Sequence, residues 1–233
     1  MKRLVTLVLS ILLVAVAVTL GSAGESYGQS AGLVSSVLNR MERNRQSLKS
    51  LRAGISMEKY NSQLGVADKY NGTVAYLPAT GREASVRIEW NSPQHEILAV
   101  NNGKYILCRP RLNMCYVGSS SKTDRTKAGG ILEMMYMTKQ QLEARFQPVK
   151  DVREETLWGG ISTIHLTLVP KSNGSFKYAE IWVDSAGMPV QTKIVEKNDD
   201  ATTMRLTGME KNAKISGDEF NLKPDANVRI VKG

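Results

Sequence analysis

Short alternations of apolar and polar residues, each bounded by turn residues, leave this chain few choices of fold. Val86, Ile88 and Trp90 alternate with Ser85, Arg87 and Glu89. A period of two sets the first three on one face of a strand and the other three on the opposite face. Similar segments at 55–60, 70–77, 84–90, 96–100, 104–109 and 114–117 read as strands, and strands resume from Val149 with 162–169, 178–183, 189–196, 202–209 and 227–231. Asn101-Asn102-Gly103, Trp158-Gly159-Gly160 and Asp184-Ser185-Ala186-Gly187 punctuate them as tight turns, because Asn and Gly accept positive φ. Short turns join antiparallel neighbours, so the expected fold is mainly β with some α, built on one large antiparallel sheet. A single sheet of that length curls, and its concave face can hold an apolar ligand if helices cap it.

Two segments break the strand pattern. Leu33, Val34, Val37, Leu38, Met41, Leu48 and Leu51 recur at helical spacing, interleaved with Arg40, Arg43, Arg45 and Lys49. This predicts an amphipathic helix that ends before Gly54. Residues 128–146 hold Leu132, Met134, Met135, Met137, Leu142 and Phe146. Thr138 followed by Gln141 has the form of a capping box, so the spacing predicts one short helix to Met137 and another over 139–146, stopped by Pro148. Three of the chain's 10 methionines crowd this stretch. Methionine is flexible and polarisable, and suits a surface that meets variable apolar shapes. The expected lid therefore carries Val37, Leu38 and Met41 on one segment and Leu132, Met134, Met135 and Met137 on the other. Beneath it, Val86, Ile88, Trp90, Met57 and Tyr76 are the expected cavity residues.

The chain opens with Lys2-Arg3, an apolar run over 4–20 and Gly21-Ser22-Ala23. That is the form of a secretory signal peptide, residues 1–23, followed by a flexible leader over 24–32 and one domain over 33–233. A retained N-terminal membrane anchor is the competing reading, since the run approaches the length of a short span. The net charge of +9 is scattered along the 233 residues without a nucleic-acid-binding motif, and is read as a means of solubility, with approach to an anionic membrane surface or an acidic partner as the alternative. Cys108 and Cys115, the only cysteines, flank a turn at 110–113 that sets them opposite each other, a spacing suited to a disulfide in an exported protein. His95 and His165 lack ligand spacing to them, so no metal is expected, and each histidine reads as a surface or structural residue. No nucleophile elbow, phosphate loop or zinc-protease motif is present, and Glu154 and Glu155, being adjacent on a strand, point to opposite faces. Neither an enzyme nor a cofactor is expected.

The order of these elements resembles the periplasmic outer-membrane lipoprotein carrier family (LolA-like), over almost the whole chain after the leader. Asn71-Gly72-Thr73-Val74-Ala75-Tyr76-Leu77-Pro78 is similar to its Gly-rich strand leading to a Pro. Val86-Arg87-Ile88-Glu89-Trp90 is similar to its next strand, and Asn102-Gly103-Lys104-Tyr105 to its hairpin. Arg109-Pro110 stands where the family turns after an aromatic strand, and Phe220-Asn221-Leu222-Lys223-Pro224 is similar to its closing stretch. The resemblance implies an unclosed β-barrel of roughly 11–12 strands under a helical lid. It implies a monomeric periplasmic carrier that binds lipoprotein acyl chains, takes its cargo from an inner-membrane release complex and yields it to an outer-membrane acceptor. A carrier of another lipid or hydrophobic ligand, or an envelope lipid sensor, uses the same architecture. One departure is visible. Leu77 precedes Pro78 where the best-studied branch has a lid-latching Arg, and Arg82 and Arg87 are the nearby substitutes.

The cysteine reading is checked by mass. Protein taken from its native compartment should become heavier by two hydrogens on reduction, and two thiols that alkylate without reductant would refute it.

Overall fold

The computed structural model describes residues 25–78, 84–119, 137–149, 151–172, 174 and 176–232, with side chains from residue 32 onward. The chain divides into two compact units, Met1–Ser36 and Val37–Gly233. The described part of the first is helical, and belongs to α1 (Glu25–Ser47). The segment expected to be a flexible leader is thus helical from Glu25.

The second unit is built on β1 (Leu51–Asn61), β2 (Val66–Leu77), β3 (Ser85–Ser92), β4 (Glu96–Asn101), β5 (Lys104–Arg109) and β6 (Met114–Ser119). After α2 (Lys139–Arg145) come β7 (Val152–Leu157), β8 (Ile161–Leu168), β9 (Phe176–Asp184), β10 (Pro189–Glu196), β11 (Ala201–Lys211) and β12 (Arg229–Lys232). All belong to one 12-stranded sheet in the order β12-β6-β5-β4-β3-β2-β1-β11-β10-β9-β8-β7. Every neighbouring pair is antiparallel except β12 with β6. The outer strands β12 and β7 do not pair, so the sheet is not closed.

The two series of strands join where β1 pairs with β11, with Ile55 opposite Leu206 and Met57 opposite Met204. On the other side of β1, Leu51 faces Tyr76 and Ala53 faces Val74. Directly opposed residues share a face, so a single row of buried side chains runs through both series. Bulges at Arg52/Gly54, Asn71/Gly72, Pro189/Gln191 and Val195/Glu196 interrupt the ladders. Each bulge bends its strand and raises the local twist.

The end of the first helix differs from the sequence reading. The first helix ends at Ser47, and Leu51 already belongs to β1. Leu51, Ala53, Ile55 and Met57 are buried in alternation. The interval from Leu48 to Leu51 fits a helix turn, but Leu51 also starts a period-two row, and pairing with β2 and β11 decides in favour of the strand. The turn at 110–113 is a single 3₁₀ turn, Pro110–Leu112, ended by Asn113 in the left-handed region. It leaves Cys108 opposite Cys115 and Arg109 opposite Met114, the register read from the sequence.

Helix α1 lies directly on the β9–β10 turn. Gly187 has φ +84, and a Cβ added there would overlap the Arg40 carbonyl and stand 2.8 Å from the Met41 backbone nitrogen. Gly187→Ala should lower stability by about 2–4 kcal/mol in chemical denaturation, combining left-handed strain with overpacking. An unchanged midpoint would show that α1 does not rest there in solution.

Candidate functional site: the apolar face under α1

From Val37 onward, α1 presents Val37, Leu38 and Met41 inward, all buried, with Leu48 buried just beyond its end. The face beneath contains side chains with almost no exposure: Ile88, Leu166, Ile181, Val183, Met188, Met204 and Leu206. The five expected cavity residues share that face. Tyr76 pairs with Val86, Ile88 with Val74, Trp90 with Gly72 and Met57 with Tyr70. Val86 is half-buried and the other four are buried. Trp90 meets Tyr70 edge-on at 5.8 Å between ring centroids. Burial pushes the Tyr76 phenol up to about 12, opposed only by the nearby positive charge of Arg45. Arg87 and Glu89 lie on the opposite face, as their alternation requires.

Of the lid residues in the second segment, Met137 is buried at the entry to α2. Leu132, Met134 and Met135 lie outside the described residues. The capping box at Thr138 is formed: its hydroxyl accepts from Gln141 N, and the Gln141 side chain accepts from Thr138 N. Leu142 and Phe146 are the buried side of α2, and Phe146 leans against Phe176 at 6.3 Å.

Polar contacts hold α1 in place. Asn44 donates to the Met188 sulfur at 3.3 Å and accepts from Lys211 Nζ at 3.0 Å. Arg40 Nη1 donates to the Ser185 carbonyl at 3.3 Å. Glu42 pairs with Arg45 at 2.6 Å and accepts from the Lys139 backbone N–H at 3.3 Å, while Lys139 Nζ donates to Asn39 at 3.1 Å. These contacts join α1 to the first turn of α2. Arg87, a candidate replacement for the family latch, cannot serve as one. It lies on the other face, where it donates to the Glu219 carbonyl at 3.1 Å and pairs with Glu89. Arg82 lies outside the described residues.

Sequence reasoning did not single out the contribution of the second strand series, including Thr192, which is fully buried on the α1 side opposite Met204. Its hydroxyl has no hydrogen-bond partner among the described residues. His165 is structural rather than a surface residue, with no exposure and its ring 4.5 Å from Trp182. Burial, helped by Arg153, lowers its pKa below the ordinary 6.5 against the opposing pull of Glu180 and Glu155. Cys108 and Cys115 form a disulfide with Cα atoms 4.1 Å apart, on the face away from α1.

The Arg45 hydrogen bond, then the Lys139 amide, outweigh burial and hold the Glu42 carboxyl at about 2, below its ordinary 4.5. A depressed carboxyl stabilises the fold above its unfolded pKa and loses that contribution as pH falls through the folded one. Glu42→Gln should therefore cost about 1–2 kcal/mol at neutral pH, after discounting for solvent screening, and the gap from wild type should close between pH 4.5 and about 2. Urea titrations across that range measure it, and a gap independent of pH would assign the cost to packing instead.

No helix among the described residues is long and apolar enough to cross a membrane. No curated protein sequence matches the chain. Among solved structures it is similar to a chain in the complex structure of Pseudomonas aeruginosa MucA/MucB, with 14% identity and a TM-score of 0.50 over 84% of this chain and 62% of that one. It is similar to MucB itself at 12% identity and a TM-score of 0.53, over 84% and 64% of the two chains. An uncharacterized conserved protein from Thermus thermophilus aligns at 14% identity with a TM-score of 0.50, over 86% of this chain and 99% of that one. The chain thus spans less than two thirds of the MucB-type chains and nearly all of the Thermus protein. At such identities the likeness is one of fold. The sequence itself goes further, since residues 46–223 match the family model described as outer membrane lipoprotein carrier protein LolA. The chain belongs to the outer membrane lipoprotein carrier (LolA) family.

Proposed function

We propose that this protein is a periplasmic carrier that holds lipoprotein acyl chains between α1 and the sheet, and shuttles lipoproteins from the inner to the outer membrane. The observation that carries the reading is the apolar face shared by both strand series, covered by a helix that adds Val37, Leu38 and Met41 to it and is tied to its surroundings by side-chain hydrogen bonds. Burial of each methylene contributes about 0.8 kcal/mol, so two acyl chains supply ample affinity without polar recognition. Cargo must also leave. The hydrogen bonds that tie the lid are each worth only about 0.5–1.5 kcal/mol net, and acyl chains can replace its apolar contacts, so the lid can part from the sheet as cargo exchanges. The family carries the expectation of an inner-membrane release complex and an outer-membrane acceptor as partners. The wall would be formed by Val86, Ile88, Trp90, Met57 and Tyr76, and the lid by Val37, Leu38, Met41, Met137 and the segment with Leu132, Met134 and Met135.

Lipid copurifying with the protein, identified by mass spectrometry, tests the cargo. Ile88→Glu and Met135→Glu should each reduce retained acyl lipid by about tenfold or more while the circular dichroism spectrum stays that of the folded protein. Full retention by both folded variants would exclude this cavity and lid.

A further inference from the structure

We propose that the opposite face of the sheet carries a second ligand site, for a single-chain anionic amphiphile of the fatty-acid class. A cavity of about 770 Å³ lies beside the β4–β5 turn. That volume falls within the ordinary range for small-molecule sites. Its floor is Ala99, Ile106 and Val117, which are successive partners across β4, β5 and β6. These three alternate with Leu98, Val100, Leu107 and Tyr116, whose register belongs to the α1 side, so the cavity opens away from α1. It is a separate site and does not depend on the acyl-carrier reading.

The wall comes from Phe220, the last residue of the 3₁₀ turn Gly217–Phe220, and Leu222 just beyond it. This segment is tied down at several points. Glu219 pairs with Arg52 at 2.9 Å, its carbonyl accepts from Arg87, and Asn221 Oδ1 accepts from Asn101 Nδ2 at 2.8 Å. Phe220 is only 2% exposed, so the wall is packed against the sheet.

The rim sets the ligand class. Lys104 and Lys232 stand on the strands either side of β6, and both are exposed. Neither pairs with an acid among the described residues, and no acidic residue lines the cavity. An apolar floor under two unneutralised ammonium groups and the Asn101 and Asn221 amides suits an alkyl chain ending in a carboxylate. A cationic head would meet like charge, and a neutral one would leave both lysines uncompensated.

The test is titration of the ¹⁵N-labelled full chain with dodecanoate below its micelle concentration, with dodecyltrimethylammonium as the second probe. Dodecanoate should shift the Gly103 and Gly118 backbone amides and the Asn101 and Asn221 side-chain amides in a saturable way. Lys104→Glu combined with Lys232→Glu should weaken that binding by about tenfold, and Lys104→Gln or Lys232→Gln alone by about threefold, which keeps the test open if the double variant fails to fold. The cationic probe should leave these amides unmoved. Shifts confined to the α1 side, at Val74, Ile88 and Leu206, would overturn the proposal while leaving the carrier reading intact. So would equal binding of the two probes, unchanged affinity in the lysine variants, or no saturable shift at all.

Discussion

The pairing of β1 with β11 is the constraint on which the rest of the structure depends. It fuses two strand series that are each hydrogen-bonded internally through near neighbours in sequence. With Ile55 opposite Leu206 and Met57 opposite Met204, the apolar rows of both series fall on one face. A slip of one residue would turn every side chain of one series to the other face and leave α1 over polar residues. The bulge between Arg52 and Gly54 absorbs the mismatch at one end of this pair. There Gly54 leaves room that a Cβ would lose, since it would stand 2.7 Å from the Thr207 hydroxyl.

The two faces are then used differently. One has an apolar centre, with Glu96, Arg109, Lys59 and Asp68 toward its margins, and is covered by α1. The other carries the disulfide, the Arg87–Glu89 ion pair with His95 hydrogen-bonded to Glu89, and the closing segment around Phe220. His165 and Trp182 are buried on that face too. The β7–β8 turn is fastened there, because the Trp158 carbonyl accepts from Arg205 on β11 and the guanidinium lies 5.9 Å from the indole centroid. That contact passes over β9 and β10 and gives the edge of the sheet a second attachment.

Much of this was legible in local sequence. Alternation placed Val86, Ile88 and Trp90 on the enclosed side, Asn101-Asn102-Gly103 marked its hairpin, and Thr138 with Gln141 marked a helix start. Each of these signals is complete within a few residues. What escaped was decided at long range. Leu51 satisfies helical spacing with Leu48 and strand spacing with Ala53, and only its partners on β2 and β11 choose between them. The burial of His165 follows from Trp182 and its neighbours on adjoining strands, not from its own alternation. The parallel addition of β12 to β6 joins segments more than a hundred residues apart, a pairing that no turn motif announces. Phe220 looked like part of a closing motif, but nothing in its neighbours named Ala99 and Val117 as the surface it would help enclose.

The sheet's failure to close also has a mechanical consequence. In a sealed barrel, strand number and shear together dictate the radius, so the bore is a fixed quantity. Here β7 and β12 share no hydrogen bonds, and no ring condition links the first strand to the last. The coiling of the sheet is therefore not fixed by closure. Small changes of twist distributed over eleven strand junctions can move the two edge strands relative to each other without breaking a single ladder. An open sheet of this kind can take up a change at one edge without imposing it on the other, whereas a closed ring would pass the change round to every strand.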